Sequence, residues 1–281
     1  MEALPSLPNV AMKNGRIQIK KQTKATIVMR IVLWTLFAMT VIGPFLLDYG
    51  EIDWAEALSL TLGNLQMMFL QPAFNQITFG TAMMQIGITL ALAFLATVLG
   101  AVISFFLAAF SARNLSPAWL ANIIIASNSF VRAVPTVLWV LIFAIVAGLG
   151  AIACVLGMML HTIAYLTKAY AESFEELDEG TIEALKASGA NWWHIVWHAV
   201  IPQSSSYIIS WTFLRFETNY DVAVAMGAAA AAGGIGFELF MASSFYYDLH
   251  EVGMITYCAL VVAILLEMIS IRIKRHYLGK A

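Results

Sequence analysis

His194 and His198 stand four residues apart, so on a helix they share a face at the spacing two metal-ligating imidazoles need. Ile195 follows His194, so the glutamate of a metalloprotease helix is missing, and no third ligand lies nearby in sequence. A surface pair is the simpler reading, with a membrane-embedded metal enzyme as the alternative. Ser204, Ser205 and Ser206 lack the glycines of a nucleophile elbow and read as capping or packing residues. The ionisable residues Arg132, Arg215 and Glu217 and the amide Asn219 interrupt otherwise apolar sequence, where a charge at mid-bilayer costs about 2.5–3.5 kcal/mol on insertion scales. A guanidinium in such a place suits an oxyanion, through two parallel charge-assisted hydrogen bonds. The competing reading pairs each arginine with Glu217, Asp221 or a helix end across a packing interface. No Gly-x4-Gly-Lys-Ser/Thr run occurs, so the chain has no P-loop of its own.

What must position these residues follows from composition. Of 281 residues 61% are hydrophobic and 11% charged, against about 25% charged in soluble domains. A water-soluble globule is excluded. Fifteen Lys+Arg against seventeen Asp+Glu leave a formal net charge of -2, which gives no basic field for nucleic acid. Cys154 and Cys258 both lie in apolar runs and read as small core residues.

About 20 apolar residues cross a bilayer as a helix, and six stretches meet that measure: roughly 27–47, 78–110, 123–149, 152–170, 203–226 and 252–271. The third is interrupted by Asn128, Arg132 and Pro135, so its first part can lie in the interface while only the rest crosses. Lys13, Arg16, Lys20, Lys21, Lys24 and Arg30 precede or open the first span, and Arg272, Lys274, Arg275 and Lys280 close the chain. The loops 48–78 and 221–251 hold no Lys or Arg. The positive-inside rule then places both termini in the cytoplasm. The expected division is a cytoplasmic segment 1–26, a transmembrane domain 27–271 and a cytoplasmic tail 272–281.

Residues 172–199 form the one sizeable polar segment on that cytoplasmic side. Glu172 to Glu179 reads as an acidic helix ended by Gly180, Thr181 as the next N-cap, and Gly189 as a stop. Asn191 then caps a helix carrying Trp192, Trp193 and Trp197 before Pro202 opens the fifth span. Two short helices around a glycine corner make a knob able to dock in a groove of a soluble partner.

Glu183-Ala184, Gly189 six residues after the glutamate, and Ile201-Pro202 together resemble the EAA signature of ABC importer permeases. Leu185, Ala199 and Ile201 depart from its usual Ala, Ile and Leu. Further matches are Leu214 to Asn219, Gly233-Gly234-Ile235-Gly236, Ser111 to Asn114, and Gly148-Leu149-Gly150 followed by His161-Thr162. These are similar to permeases of the phosphonate, phosphite and hypophosphite type, over roughly residues 80–275. Five alanines, Ala228 to Ala232, stand before Gly233 where the family has a shorter glycine-rich run.

The resemblance implies an all-α, six-span type I importer permease in the inner membrane. Glu183, Ala184, Gly189, Trp192, Trp193 and Pro202 would form the coupling element against an ATPase. Arg132, Arg215, Glu217, Asn219, Gly233, Gly234 and Gly236 would line the passage or its gate. It implies a second copy of the permease, two ATP-binding cassette subunits that hold ATP and Mg, and an extracytoplasmic substrate-binding protein. No cofactor is expected in this chain, and the cargo would be a small phosphorus oxyanion. An amino acid such as methionine is the alternative cargo, because permeases for it share both signature and glycine run.

Overall fold

The computed structural model describes residues 12–13, 16–17, 24–46 and 52–278. By contacts the chain divides into two compact units, residues 1–59 and 60–281. In the first, β1 (Met12–Lys13) pairs antiparallel with β2 (Arg16–Ile17), and α1 spans Lys24–Leu46. Most of the expected leader 1–26 and Leu47 at the end of the first span lie outside the described residues.

The described remainder is helical. α2 (Trp54–Leu70) leads into α3 (Phe79–Ser111), whose first turn is capped by the Thr78 hydroxyl accepting from the Thr81 amide. α4 (Ala118–Ala133) and α5 (Thr136–Ala147) follow, then α6 (Ala151–Glu175), α7 (Glu179–Ala187) and α8 (Trp192–Ile195). A π-helical turn at Val196–Val200 joins α8 to α9 (Ile201–Ala229), and α10 (Ile235–Ser244) and α11 (Leu249–Leu278) complete the chain.

Among the described residues four helices are long and apolar enough to cross a membrane, namely α1, α3, α6 and α11, and α4 with α5 make a fifth if their 90° bend is one broken span. The bend falls at Pro135, before which α-helical backbone is disfavoured. α9 has the length, but Arg215, Glu217, Asp221 and its serines keep it below the apolar standard of the others. The expected count of six therefore rests on α9 by length and on the α4–α5 pair being one crossing.

Several expected boundaries are corrected. The 48–78 loop contains α2, too short and too polar at its start to register as a span, and the 221–251 loop contains α10. The tail from 272 is helical to Leu278. No separate helix occupies 172–179: α6 runs on to Glu175. Asp178, not Thr181, caps α7, its carboxylate accepting from the Thr181 amide at 3.1 Å, so Gly180 lies inside that helix.

Three clusters hold the larger unit together. α3, α6 and α9 meet around Ala93, Ala96, Met158, Tyr220 and Ala223. Small residues allow the close approach that helix association in lipid depends on. A Cβ on Gly157 would sit 2.5 Å from Val140, and one on Gly100 would sit 2.6 Å from Thr162. A second cluster joins the ends of α3 and α6 to the knob, and a third joins α3, α10 and α11.

Candidate functional site

The knob forms as its capping residues dictate. The Asn191 side chain accepts from the His194 amide at 2.9 Å, and Gly189 takes φ +83°, a left-handed value that favours glycine after a helix end. Ile182, Ile195 and Val200 turn inward onto Leu166, Tyr170 and Phe174. Trp192 also turns inward: it stacks on Phe110 with ring centroids 5.0 Å apart, and its Nε1 donates to the Leu115 carbonyl at 3.0 Å. It anchors the knob rather than presenting itself to a partner. Glu183, Ala184, Gly189, Trp193 and Trp197 are exposed.

Pro202 stands in the first turn of α9, as expected, but no break in the helical backbone precedes it. Backbone dihedrals stay helical from Val196 through Ile201, and the Ile201 amide reaches the Val196 carbonyl, five residues back. Proline cannot donate to the carbonyl four residues earlier and its ring crowds it, so the wider turn just ahead accommodates it. α8, the π-helical turn and α9 are one continuous rod, which α7 joins through the Gly189 corner. His194 and His198 lie on its exposed side with ring centroids 6.1 Å apart. Among the described residues no group of three His, Cys, Asp or Glu is placed to hold a metal.

Fourteen residues into α9 from Ile201, about 21 Å at 1.5 Å per residue, Arg215 is buried among α3, α6 and α9. Its Nε donates to Thr162 Oγ1 at 3.1 Å, and its guanidinium carbon lies 5.1 Å from the centre of the Tyr165 ring. Asn219, one turn on, donates from Nδ2 to Thr162 Oγ1 at 2.9 Å and to Thr97 Oγ1 at 2.8 Å. The Thr162 hydroxyl in turn donates to the Met158 carbonyl at 2.7 Å. The sequence placed Arg215 and Asn219 on one face, and the structure brings them to one hydroxyl. Neither alternative of carboxylate pairing holds: Arg215 makes no ion pair, its Nη2 is buried without a partner, and Glu217 Oε2 is likewise buried and unpartnered among the described residues. Thr97 and Tyr165 were not singled out from sequence, and Thr162 entered only beside His161 in the family resemblance. A hydroxyl in a helix can satisfy itself on its own backbone, so nothing in the pattern marked them.

Arg132 lies elsewhere, at the end of α4, its Nη2 donating to Ser129 Oγ at 3.4 Å. It lines a cavity of about 300 Å³ with Asn128, Thr167 and Lys168.

The glycine run forms a tight turn between α9 and α10. Gly233 and Gly234 take φ +77° and +81°, and Ala231 adopts φ 50°, so one alanine of the five-alanine run carries the left-handed conformation at a cost of about 1–2 kcal/mol. α3 pins this turn: the Gly234 amide donates to Gln85 Oε1 at 3.0 Å and the Ile235 amide to Thr89 Oγ1 at 2.9 Å. Gln85 Nε2 also donates to Glu238 Oε1 at 2.9 Å. Gly236 lies so close to α9 that a Cβ there would fall onto the Val224 carbonyl. At the same end, Asp248 caps α11 through the Glu251 amide at 3.1 Å, and its carboxylate accepts from Asn75 Nδ2 at 2.6 Å. Glu251 Oε1 receives the Gln76 and Ile77 amides at 3.0 and 2.8 Å.

The family described as "Binding-protein-dependent transport system inner membrane component" matches residues 104–279. The phosphite transport system permease protein PtxC of Stutzerimonas stutzeri is 33% identical over 190 residues, covering 67% of this chain and 68% of that protein. The phosphate-import permease protein PhnE of Mycolicibacterium smegmatis is 33% identical over 156 residues, covering 54% of this chain but 29% of that longer protein. Among solved structures, the inward-facing MetNI methionine ABC transporter superposes with a TM-score of 0.65 at 19% identity, over 73% of this chain and 99% of that one. At that identity the likeness shows the fold. The chain therefore belongs to the binding-protein-dependent transport system inner-membrane component family, and it is a multi-pass permease subunit of the ABC importer type.

Proposed function

We propose that this permease passes a small phosphorus oxyanion, phosphonate, phosphite or hypophosphite, into the cytoplasm by alternating access. The observation that carries the reading is Arg215: a membrane-buried guanidinium with no carboxylate partner and an unfilled Nη2, framed by Thr162, Asn219 and Thr97. A buried cation without a counter-charge is costly, and an anion in transit would relieve that cost for the time it is present. Binding there has to stay weak, because a passage must release what enters it. The names of the phosphite and phosphate-import relatives support the same cargo class. The amino-acid alternative rests on likeness of fold alone.

In this reading both termini are cytoplasmic, and the chain works as a pair with two ATP-binding cassette subunits that hold ATP and Mg. An extracytoplasmic capture protein supplies the anion. The exposed face of the knob, Glu183, Ala184, Gly189 and Trp193, meets the ATPase. Closure of the ATPase dimer displaces the knob and, through the continuous rod, the Arg215 level and the 230–236 turn.

The test is phosphite uptake into proteoliposomes containing permease, ATPase and capture protein. Arg215→Gln should cut uptake at least tenfold while ATP hydrolysis persists. Glu183→Ala and Gly189→Ala should leave insertion intact and break the link between hydrolysis and uptake. Wild-type uptake in Arg215→Gln removes the pathway assignment, and wild-type coupling in both knob variants removes the lever.

A further inference from the structure

We propose that the cavity between the end of α3, α4 and α6 is a second binding site for a tetrahedral phosphorus oxyanion, separate from the Arg215 cluster. It measures about 300 Å³, roughly ten waters' share of liquid volume, which accommodates a hydrated oxyanion or a phosphate ester head.

Its donors are set in place. Thr167 is 1% exposed, and its hydroxyl finds no partner among the described residues although it lines the cavity. Other helical hydroxyls on α6 bond the carbonyl four residues back, as Thr162 does to Met158 and Ser173 to Ala169. Thr167 alone among these three is left for something outside the protein. Asn128, also buried, shares the wall, and the Arg132 guanidinium spends one long bond on Ser129.

The charges around the cavity are Arg113, Arg132 and Lys168 against Glu172 and Glu175. Glu172 pairs with Lys168 at 3.5 Å, and Glu175 accepts the Arg113 amide at 2.8 Å but keeps its charge, which leaves three cations against two carboxylates. What remains for a ligand is a guanidinium fork, a hydroxyl and a side-chain amide, the donor set that suits phosphorus oxygens.

Two sources supply that chemistry. The free anion would be the cargo on its way out, which rests on the reading above. A phospholipid phosphate would reach the site past α4, whose other face exposes Trp119, Ile123 and Phe130.

The experiment uses the assembled transporter in phosphatidylcholine nanodiscs, titrated with inorganic phosphate and with phosphite by calorimetry. A parallel arm measures phosphatidylglycerol retained against phosphatidylcholine by native mass spectrometry. Saturable anion binding, or selective retention of phosphatidylglycerol, is expected in wild type and names the source. Arg132→Gln and Thr167→Val should each weaken it at least tenfold, and Arg132→Gln, on a half-exposed side chain, serves alone if Thr167→Val does not fold. Absence of both signals, or wild-type binding in Arg132→Gln, overturns the proposal. Anion binding lost in Arg215→Gln but kept in Arg132→Gln also overturns it, while supporting the pathway reading.

Discussion

Replacing Thr162 by valine keeps its shape and deletes one hydroxyl, and the structure fixes what that hydroxyl does. It accepts from Arg215 Nε at 3.1 Å and from Asn219 Nδ2 at 2.9 Å, so the variant severs two interhelical bonds at once. In membranes such bonds average about 0.6 kcal/mol and reach about 1.7, so two amount to roughly 1–3.5 kcal/mol. The upper half of that range is expected, because Thr162 is fully buried and Arg215 gains no replacement partner. Asn219 keeps Thr97 at 2.8 Å, which limits the loss on its side. Thr162→Ser restores the hydroxyl and gives up one methyl that packs on Gly100, about 1 kcal/mol. Unfolding of the purified permease by titration with sodium dodecyl sulfate in mixed micelles reads these differences directly. The expected order is wild type, then serine, then valine. A valine variant as stable as wild type, or serine below valine, refutes the view that this hydroxyl ties α6 to α9.

Other expectations can be read with simpler assays. Gly236→Ala forces the 230–236 turn away from the Val224 carbonyl and should cost about 1–3 kcal/mol, seen as a lower melting temperature with uptake lost. Trp192→Ala removes the Phe110 stack and the Leu115 bond and should cost about 3–5 kcal/mol, whereas Trp193→Ala, at a residue 48% exposed, should melt within about 1 kcal/mol of wild type. The Asn75 amide beside Asp248 holds its carboxyl below the usual carboxylate range, helped by the Glu251 amide that it caps. A depressed folded pKa stabilises above the unfolded value and is lost as pH falls through the folded one, so melting temperature should drop as pH is lowered past about 3.9. Asn75→Ala should shrink that acid-sensitive component.

What the sequence disclosed divides along physical lines. Arg215 and Asn219 were legible because a charge or amide in an apolar run is expensive enough to need a reason. The knob was legible through Gly189 and Asn191, whose roles as stop and cap depend on local backbone alone. The cap of α7 reads as Thr181 in the sequence because Thr181 and Asp178, three residues before it, are equally good caps by type, and only the carboxylate's reach to the Thr181 amide decides for Asp178. α2 escaped notice since hydropathy measured in spans of about 20 residues passes over a 17-residue helix. The partners Thr97, Gln85 and Thr89 could not be read at all. Each is tied to a residue more than 120 positions away, and only the packing of α3 on α9 and α10 brings them together.

The π-helical turn at Val196–Val200 sets the phase of everything after it. An α-helix turns about 100° per residue, so absorbing one surplus residue in a widened turn leaves Arg215 and Asn219 aimed at α6. Deleting a single residue from that turn would close it to regular α-helix and leave both side chains near their bearing, whereas a deletion in the α-helical stretch between Pro202 and Arg215 would swing them by about 100°. The joint between knob and wall is therefore an angular register as well as a linkage, and the loss of one residue should be better tolerated within it than beyond it.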